Sequence, residues 1–174
     1  VLLAVHPESR IKNGIRIVGL PEVPRWKRPR LWFKIFRKAL AFDADVYHFH
    51  DPELLVIAPL IRMVTGSPTI YDCHEVYADF IRIKEHMSPL LRYPIGEFFR
   101  FCEPLLARLQ TALIFSDNAI AHSFDSIDCP KRTLFNFPAR FLVEQGKQAT
   151  CDLDNRPPTI VYLGGHKRHR GTRI

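Results

Sequence analysis

One repeated unit constrains the fold of this chain more than any other feature. It is a short apolar run that ends in polar or ionisable residues. Residues 45–49 lead into His48-Phe49-His50-Asp51, and residues 69–71 into Asp72-Cys73-His74-Glu75. Residues 119–121 lead into His122-Ser123, residues 133–135 into Asn136, and residues 159–163 into Gly164-Gly165. Segments of helical character lie between several of them. These are residues 30–42, 54–64, and a long stretch from Ser88-Pro89 to about 113, with kinks expected at Pro94 and Pro104. Two further strands are expected at residues 1–5 and 15–20, the second after the turn signal Asn13-Gly14. Strands alternating with helices in short apolar runs indicate βαβ units. The expected fold class is therefore α/β, a Rossmann-like parallel sheet flanked by helices. In such sheets ligands bind beyond the carboxyl ends of the strands. The polar residues gathered there are the candidates for function.

Composition narrows the classes further. The chain has 174 residues, of which 47% are hydrophobic, which excludes a disordered or low-complexity chain. It contains no unbroken apolar run long enough for a transmembrane helix. Lys and Arg number 25 and Asp and Glu 18, a net charge of +7. That excess is local. Arg25, Lys27, Arg28, Arg30, Lys34, Arg37 and Lys38 lie in a stretch without Asp or Glu, and the remainder sums to zero. At ~100° per residue, Lys34, Arg37, Lys38 and Arg30 share one side of a helix and its aromatic and aliphatic residues the other. A basic face opposite an apolar one suits an anionic lipid surface, with Arg30, Trp32, Lys34, Arg37 and Lys38 as contacts. The competing reading is an ordinary crossover helix that buries its apolar side on the sheet. Nucleic acid is not expected, because the basic residues follow no nucleic-acid motif and the rest of the chain is neutral.

Each constellation has rival readings. His48 and His50 face the same side of a strand. They could hold a metal in a hydrolase, line a substrate site, or sit beside a helix cap in which Asp51 precedes Pro52. A metal would need further ligands from Asp72, His74 or Glu75. Asp72, His74 and Glu75 set three ionisable groups at one strand end, where a histidine can donate to a sugar or phosphate oxygen or transfer a proton. Gly164-Gly165 followed by a basic stretch with Arg170 is a strand, a turn and phosphate-pairing charge. Cys73, Cys102, Cys129 and Cys151 form no CxxC pair and read as free thiols.

Taken together, these strand-end residues resemble the amino-terminal domain of family 4 glycosyltransferases, which have the GT-B fold. Asp45-Val46-Tyr47-His48-Phe49-His50-Asp51-Pro52-Glu53-Leu54-Leu55 looks like the family's DVYHFHDPELL segment. Tyr71-Asp72-Cys73-His74-Glu75 looks like its YDxHE segment, and Phe135-Asn136-Phe137-Pro138 is similar to its YNFP segment. Val161-Tyr162-Leu163-Gly164-Gly165, then Arg170-Gly171, resembles the opening of the donor-binding domain. The resemblance implies a sugar transferase, retaining in type, that uses a nucleotide-sugar donor and no metal or other cofactor. His74 would act at the transferred sugar as a catalytic group with Asp72 and Glu75. His50, Asp51, Ser123 and Asn136 would bind substrate, and Gly164, Gly165 and Arg170 the donor diphosphate. The acceptor would be a glycan or a lipid-linked molecule of surface polysaccharide assembly, met at the inner face of a membrane in the cytoplasm.

The resemblance also implies a division. Residues 1–155 would be the acceptor-side domain, and 156–174 the linker and first strand of a donor domain. The family's opening strand and glycine-rich loop would precede Val1, and its paired-glutamate region would follow Ile174. The 174-residue chain alone is then expected to be inactive. Many relatives carry Arg after the first Gly of the donor loop, where this chain has Gly165.

Overall fold

A computed structural model describes residues 1–84, 87–148 and 157. The expected strand at 159–163, Cys151, Gly164, Gly165 and Arg170 lie outside the described residues. The chain separates into two compact units, Val1–Phe135 and Asn136–Ile174.

In the first unit, β1 (Leu2–Val5) pairs parallel with β3 (Ile15–Leu20), and β2 (Arg10–Lys12) pairs antiparallel with β3. Asn13 and Gly14 join β2 to β3 with φ of 50° and 77°. Two positive φ values are what a tight hairpin turn demands, and this Asn-Gly pair adopts them at little cost. The second sheet has the order β4-β5-β6-β7 and is parallel throughout. Its strands are Tyr47–Phe49, Thr69–Cys73, Ala112–Phe115 and Lys131–Thr133.

Helices supply the crossovers. Helix α1 (Arg28–Leu40) carries Pro29 in its first turn and Arg37 and Lys38 in its last, both favourable placements. Its residues Trp32, Ile35, Phe36 and Ala39 pack against Ile57 and Ile61. The expected helix over 54–64 is divided. A 3₁₀ segment at Pro52–Val56 gives way to α2 (Ala58–Thr65), where Pro59 can stand only in a first turn. Gly66 ends α2 in the left-handed region at φ 75°.

Helix α3 (Tyr77–Arg82) has no counterpart among the expected elements, and α4 (Pro89–Ala107) carries Pro94 and Pro104 within it. The stretch expected to stay helical to about 113 instead turns at Gln110 and enters β6, where Thr111 N–H donates to Thr69 O at 2.9 Å. The expected strand at 119–121 is helix α5 (Asn118–His122), started by Asp117, whose carboxylate accepts from Ala119 N–H at 2.6 Å. Both differences have one cause: an apolar run of three or four residues fits a buried strand and a buried helix equally. The last strand, expected at 133–135, pairs as β7 two residues earlier.

The largest side chains of the core, Tyr71, Phe115, Leu55 and Leu113, are at most 1% exposed. They lie around β5 and β6, on the side covered by Leu55, Ala107, Phe124 and Ile127. The second unit contains α6 (Arg140–Gln148), in which Arg140 pairs with Glu144 one turn on.

Candidate functional site

Strand alternation divides β4 and β5 into two chemistries. Phe49 and Tyr71 pair across the strands and stack in the core with ring centroids 5.4 Å apart. The residues between and beside them, His48, His50 and Asp72, therefore project to the other side. Asp72 is the centre of the group. His48 Nε2 lies 3.1 Å and His50 Nδ1 3.3 Å from its Oδ2, and His74 Nε2 lies 3.2 Å from its Oδ1. The rings lie side by side, with centroids 4.9 Å apart for His48–His50 and 5.1 Å for His50–His74. The Asp72 side chain is 12% exposed, whereas those of His48, His50 and His74 are 44%, 58% and 41% exposed. A buried carboxylate thus fixes three rings whose far edges reach solvent. A His48 or His50 ring that donates one N–H to Asp72 offers its other nitrogen to a ligand.

The loop bearing His74 is tied to the next strand. Ser116, just after β6, donates its hydroxyl to His74 O at 3.2 Å and its N–H to Cys73 O at 3.2 Å. Ser116 is absent from the residues expected at the site because the run before it reads as helix. The signal that could find it is that same apolar run, ending in Ser116-Asp117.

On the core side of β5, Tyr71 donates its hydroxyl to Glu103 Oε1 at 2.7 Å, and Cys73 Sγ lies 3.7 Å from the same oxygen. Burial pushes the Glu103 carboxyl above its usual range. Burial, and then the nearby Glu103 charge, push the Cys73 thiol up to about 12. The Tyr71 hydroxyl is driven up for the same reasons, so burial disfavours the charged form of all three. Among the described residues Cys73, Cys102 and Cys129 are free thiols.

Other expected site residues are placed differently. Glu75 contributes its backbone oxygen, which accepts from Cys73 Sγ at 3.3 Å, and its carboxylate takes no described part in the Asp72 group. Ser123 stands at the end of α5, its N–H on Ile120 O at 3.0 Å, and shares no described contact with Asp72. Asp51 does occupy the cap position before Pro52, but its backbone oxygen rather than its carboxylate accepts from Leu54 N–H. Asp51 lines a cavity of about 260 Å³ with Val5, Arg28, Trp32 and Glu53. In it Arg28 forms an ion pair with Glu53, and the Trp32 indole donates to Glu53 Oε2 at 3.3 Å. Asn136 belongs to the second unit.

On α1 the side chains of Arg30, Lys34 and Arg37 are exposed and Lys38 is half-buried. Trp32, expected to join them at a membrane, is turned inward instead, held by α2 and Glu53. The helix buries most of its apolar side on the protein, as a crossover helix must. Phe33 on this helix and Trp26 in the 3₁₀ turn before it are exposed aromatics, 62% and 75% exposed. Among the described residues no helix is long and apolar enough to cross a membrane.

Among the described residues, His48, His50 and Asp72 could hold a metal, their ligand atoms all lying within 4.8 Å of one another. A family model described as a glycosyl transferase 4-like domain matches residues 4–135. No curated protein matches the chain significantly.

Proposed function

The chain belongs to the family of glycosyl transferase 4-like domains, and on that premise we propose that it is the acceptor-side part of a retaining hexosyltransferase. The donor is a nucleotide-sugar, and the acceptor is a glycan or lipid-linked molecule of surface polysaccharide assembly. The observation that carries this reading is the Asp72 group, three imidazoles on one buried carboxylate at the carboxyl ends of adjacent parallel strands. A sugar presents hydroxyls that both donate and accept, and ring nitrogens at the rim match them. Asp72 orients His74, which meets the transferred sugar. His50 and the cavity beside Asp51 serve the acceptor. Cleavage at the anomeric carbon leaves charge on the diphosphate, and Arg170 with the backbone of Gly164 and Gly165 is assigned to stabilise it. No resident cofactor is assigned to the transfer. Residues 1–155 form the acceptor domain in this reading, and 156–174 open the donor domain. The metal-dependent hydrolase reading of His48 and His50 gains no support from the family.

Nucleotide release from uridine-, guanosine- and adenosine-diphosphate hexoses in the full-length enzyme tests the proposal. His74→Ala is expected to lower transfer by ~10²-fold or more, the scale of a lost charge-stabilising donor. Unchanged transfer overturns the role of His74, and transfer by the 174-residue chain alone overturns the division.

The exposed Arg30, Lys34 and Arg37, with Phe33 and Trp26, support a peripheral contact with the inner face of an anionic membrane. Each basic group contributes about 1 kcal/mol there. Co-sedimentation with anionic vesicles should fall on Lys34→Glu with Arg37→Glu, and equal binding by both proteins removes the membrane from the reading.

A further inference from the structure

We propose that His48, His50 and Asp72 form a binding site for a divalent transition metal of the zinc class. The proposal concerns metal binding and stands whether or not the transfer reading above is right.

The strands converge three donors on one point. His48 and His50 alternate along β4 and its extension, so both rings lie on one side of the sheet. Pairing of Phe49 with Tyr71 puts the next position, His50, beside Asp72. His48 Nε2 and His50 Nδ1 then aim at a single oxygen, Asp72 Oδ2, from 3.1 and 3.3 Å. A tetrahedral centre with bonds of ~2.0–2.1 Å sets its ligand atoms ~3.3 Å apart. The two edges to Asp72 suit it, and with all three ligand atoms within 4.8 Å of one another, rotation of the exposed rings closes the remaining edge.

The surroundings favour a metal as well. His74 Nε2 lies 3.2 Å from the other carboxylate oxygen, Oδ1, and so fixes the plane of Asp72 with Oδ2 turned toward His48 and His50. Such an outer partner is the usual means of orienting a ligating carboxylate. Two imidazoles and one carboxylate suit zinc, cobalt, nickel or ferrous iron, whereas magnesium and calcium prefer all-oxygen sites. Thiolate does not enter, because Cys73 faces the core. The histidine side chains are 44% and 58% exposed, so an ion can arrive from solvent and keep a position open for water or an anionic oxygen. A bound ion takes over the Oδ2 that both rings now approach. It would sit where the transfer reading puts the sugar, and so act there as an inhibitor.

The test uses the metal-stripped 174-residue chain, titrated with Zn²⁺ by calorimetry and with Co²⁺ by visible absorption. One equivalent of each is expected, with cobalt d–d bands and no thiolate charge-transfer band. His48→Ala and His50→Ala should each weaken binding by more than about tenfold, the lower end of what the loss of an outer-shell partner costs. Both rings are at the surface, and circular dichroism verifies that the variants fold. His122→Ala, at the separate His122–Asp125 pair, should bind as the parent does. His166 and His169 offer a rival location. Binding lost in His166→Ala with His169→Ala, binding kept in His48→Ala with His50→Ala, or no saturable binding at all each overturns the proposal. The last result would leave the Asp72 group held by hydrogen bonds alone.

Discussion

Two buried carboxylates flank β5, and they live in opposite chemistry. Glu103 is 5% exposed and meets a phenol and a thiol on the core side. Asp72 is 9% exposed and meets three imidazoles on the other side. The partners of Glu103 are weak acids sealed from water, so burial raises all three and disfavours their charged forms. The partners of Asp72 are bases whose rings reach solvent, so proton donors and acceptors remain available to a ligand. Equal burial therefore does not mean equal function. Partner chemistry and water access at the next atom out decide it.

The contrast can be broken most severely at activity. Asp72→Asn in the full-length enzyme should lower sugar transfer by ~10²-fold or more, since an amide cannot accept from all three rings and still orient His74. Glu103→Gln should leave transfer close to the parent value. Equal losses in a nucleotide-release assay would erase the distinction between the two faces.

Stability sharpens it next. Tyr71→Phe leaves the buried Glu103 oxygen without its 2.7 Å donor and should cost ~1–3 kcal/mol in urea unfolding. Glu103 also sets a sign for the pH dependence. Its carboxyl is raised in the folded chain, so the folded state holds the proton longer than the unfolded one. Its contribution is complete below the ordinary carboxylate range and is lost as pH rises through the raised folded value. Stability measured against pH should show that downward slope in the parent chain and lose it in Glu103→Gln. A slope unchanged by Glu103→Gln would show that Glu103 does not produce it.

The smallest effect is at sulfur. A thiol pushed up to about 12 and buried beside Glu103 should resist alkylation at neutral pH in the folded chain, and react once urea is added. Mass spectrometry of Cys73-containing peptides after iodoacetamide reads this directly. Rapid labelling of native Cys73 would mean that the core side of β5 opens to water.

Much of the Asp72 group is legible in local sequence pattern. The rule that ligands gather past parallel strand ends isolates Asp72, His74, His48 and His50 without reference to distant residues. The hairpin at Asn13-Gly14 is equally local. What stays illegible depends on partners distant in sequence. Residues 112–115 and 119–121 are apolar runs too short to distinguish strand from helix. Only pairing of β6 with β5, and the Asp117 cap, make the choice. Glu103 sits in an apolar helix with nothing local to announce burial. Trp32 falls on the apolar side of α1, beside residues that do face outward, and its turn toward Glu53 is a contact across 21 positions. The assignment of Gly164, Gly165 and Arg170 to the donor rests on the sequence alone.

The double hold of Ser116 on Cys73 and His74 has one more consequence. The turn that carries His74 is fastened to the neighbouring strand at two points, so its shape is inherited from the sheet and not assembled when a ligand comes. Asp72 then orders the His74 ring, and immobilising such a side chain at a binding event costs about 0.5–1.5 kcal/mol. Here that ordering is completed while the chain folds. In the proposed transfer, an arriving sugar would meet a donor whose direction is already set by the register of β5 against β6.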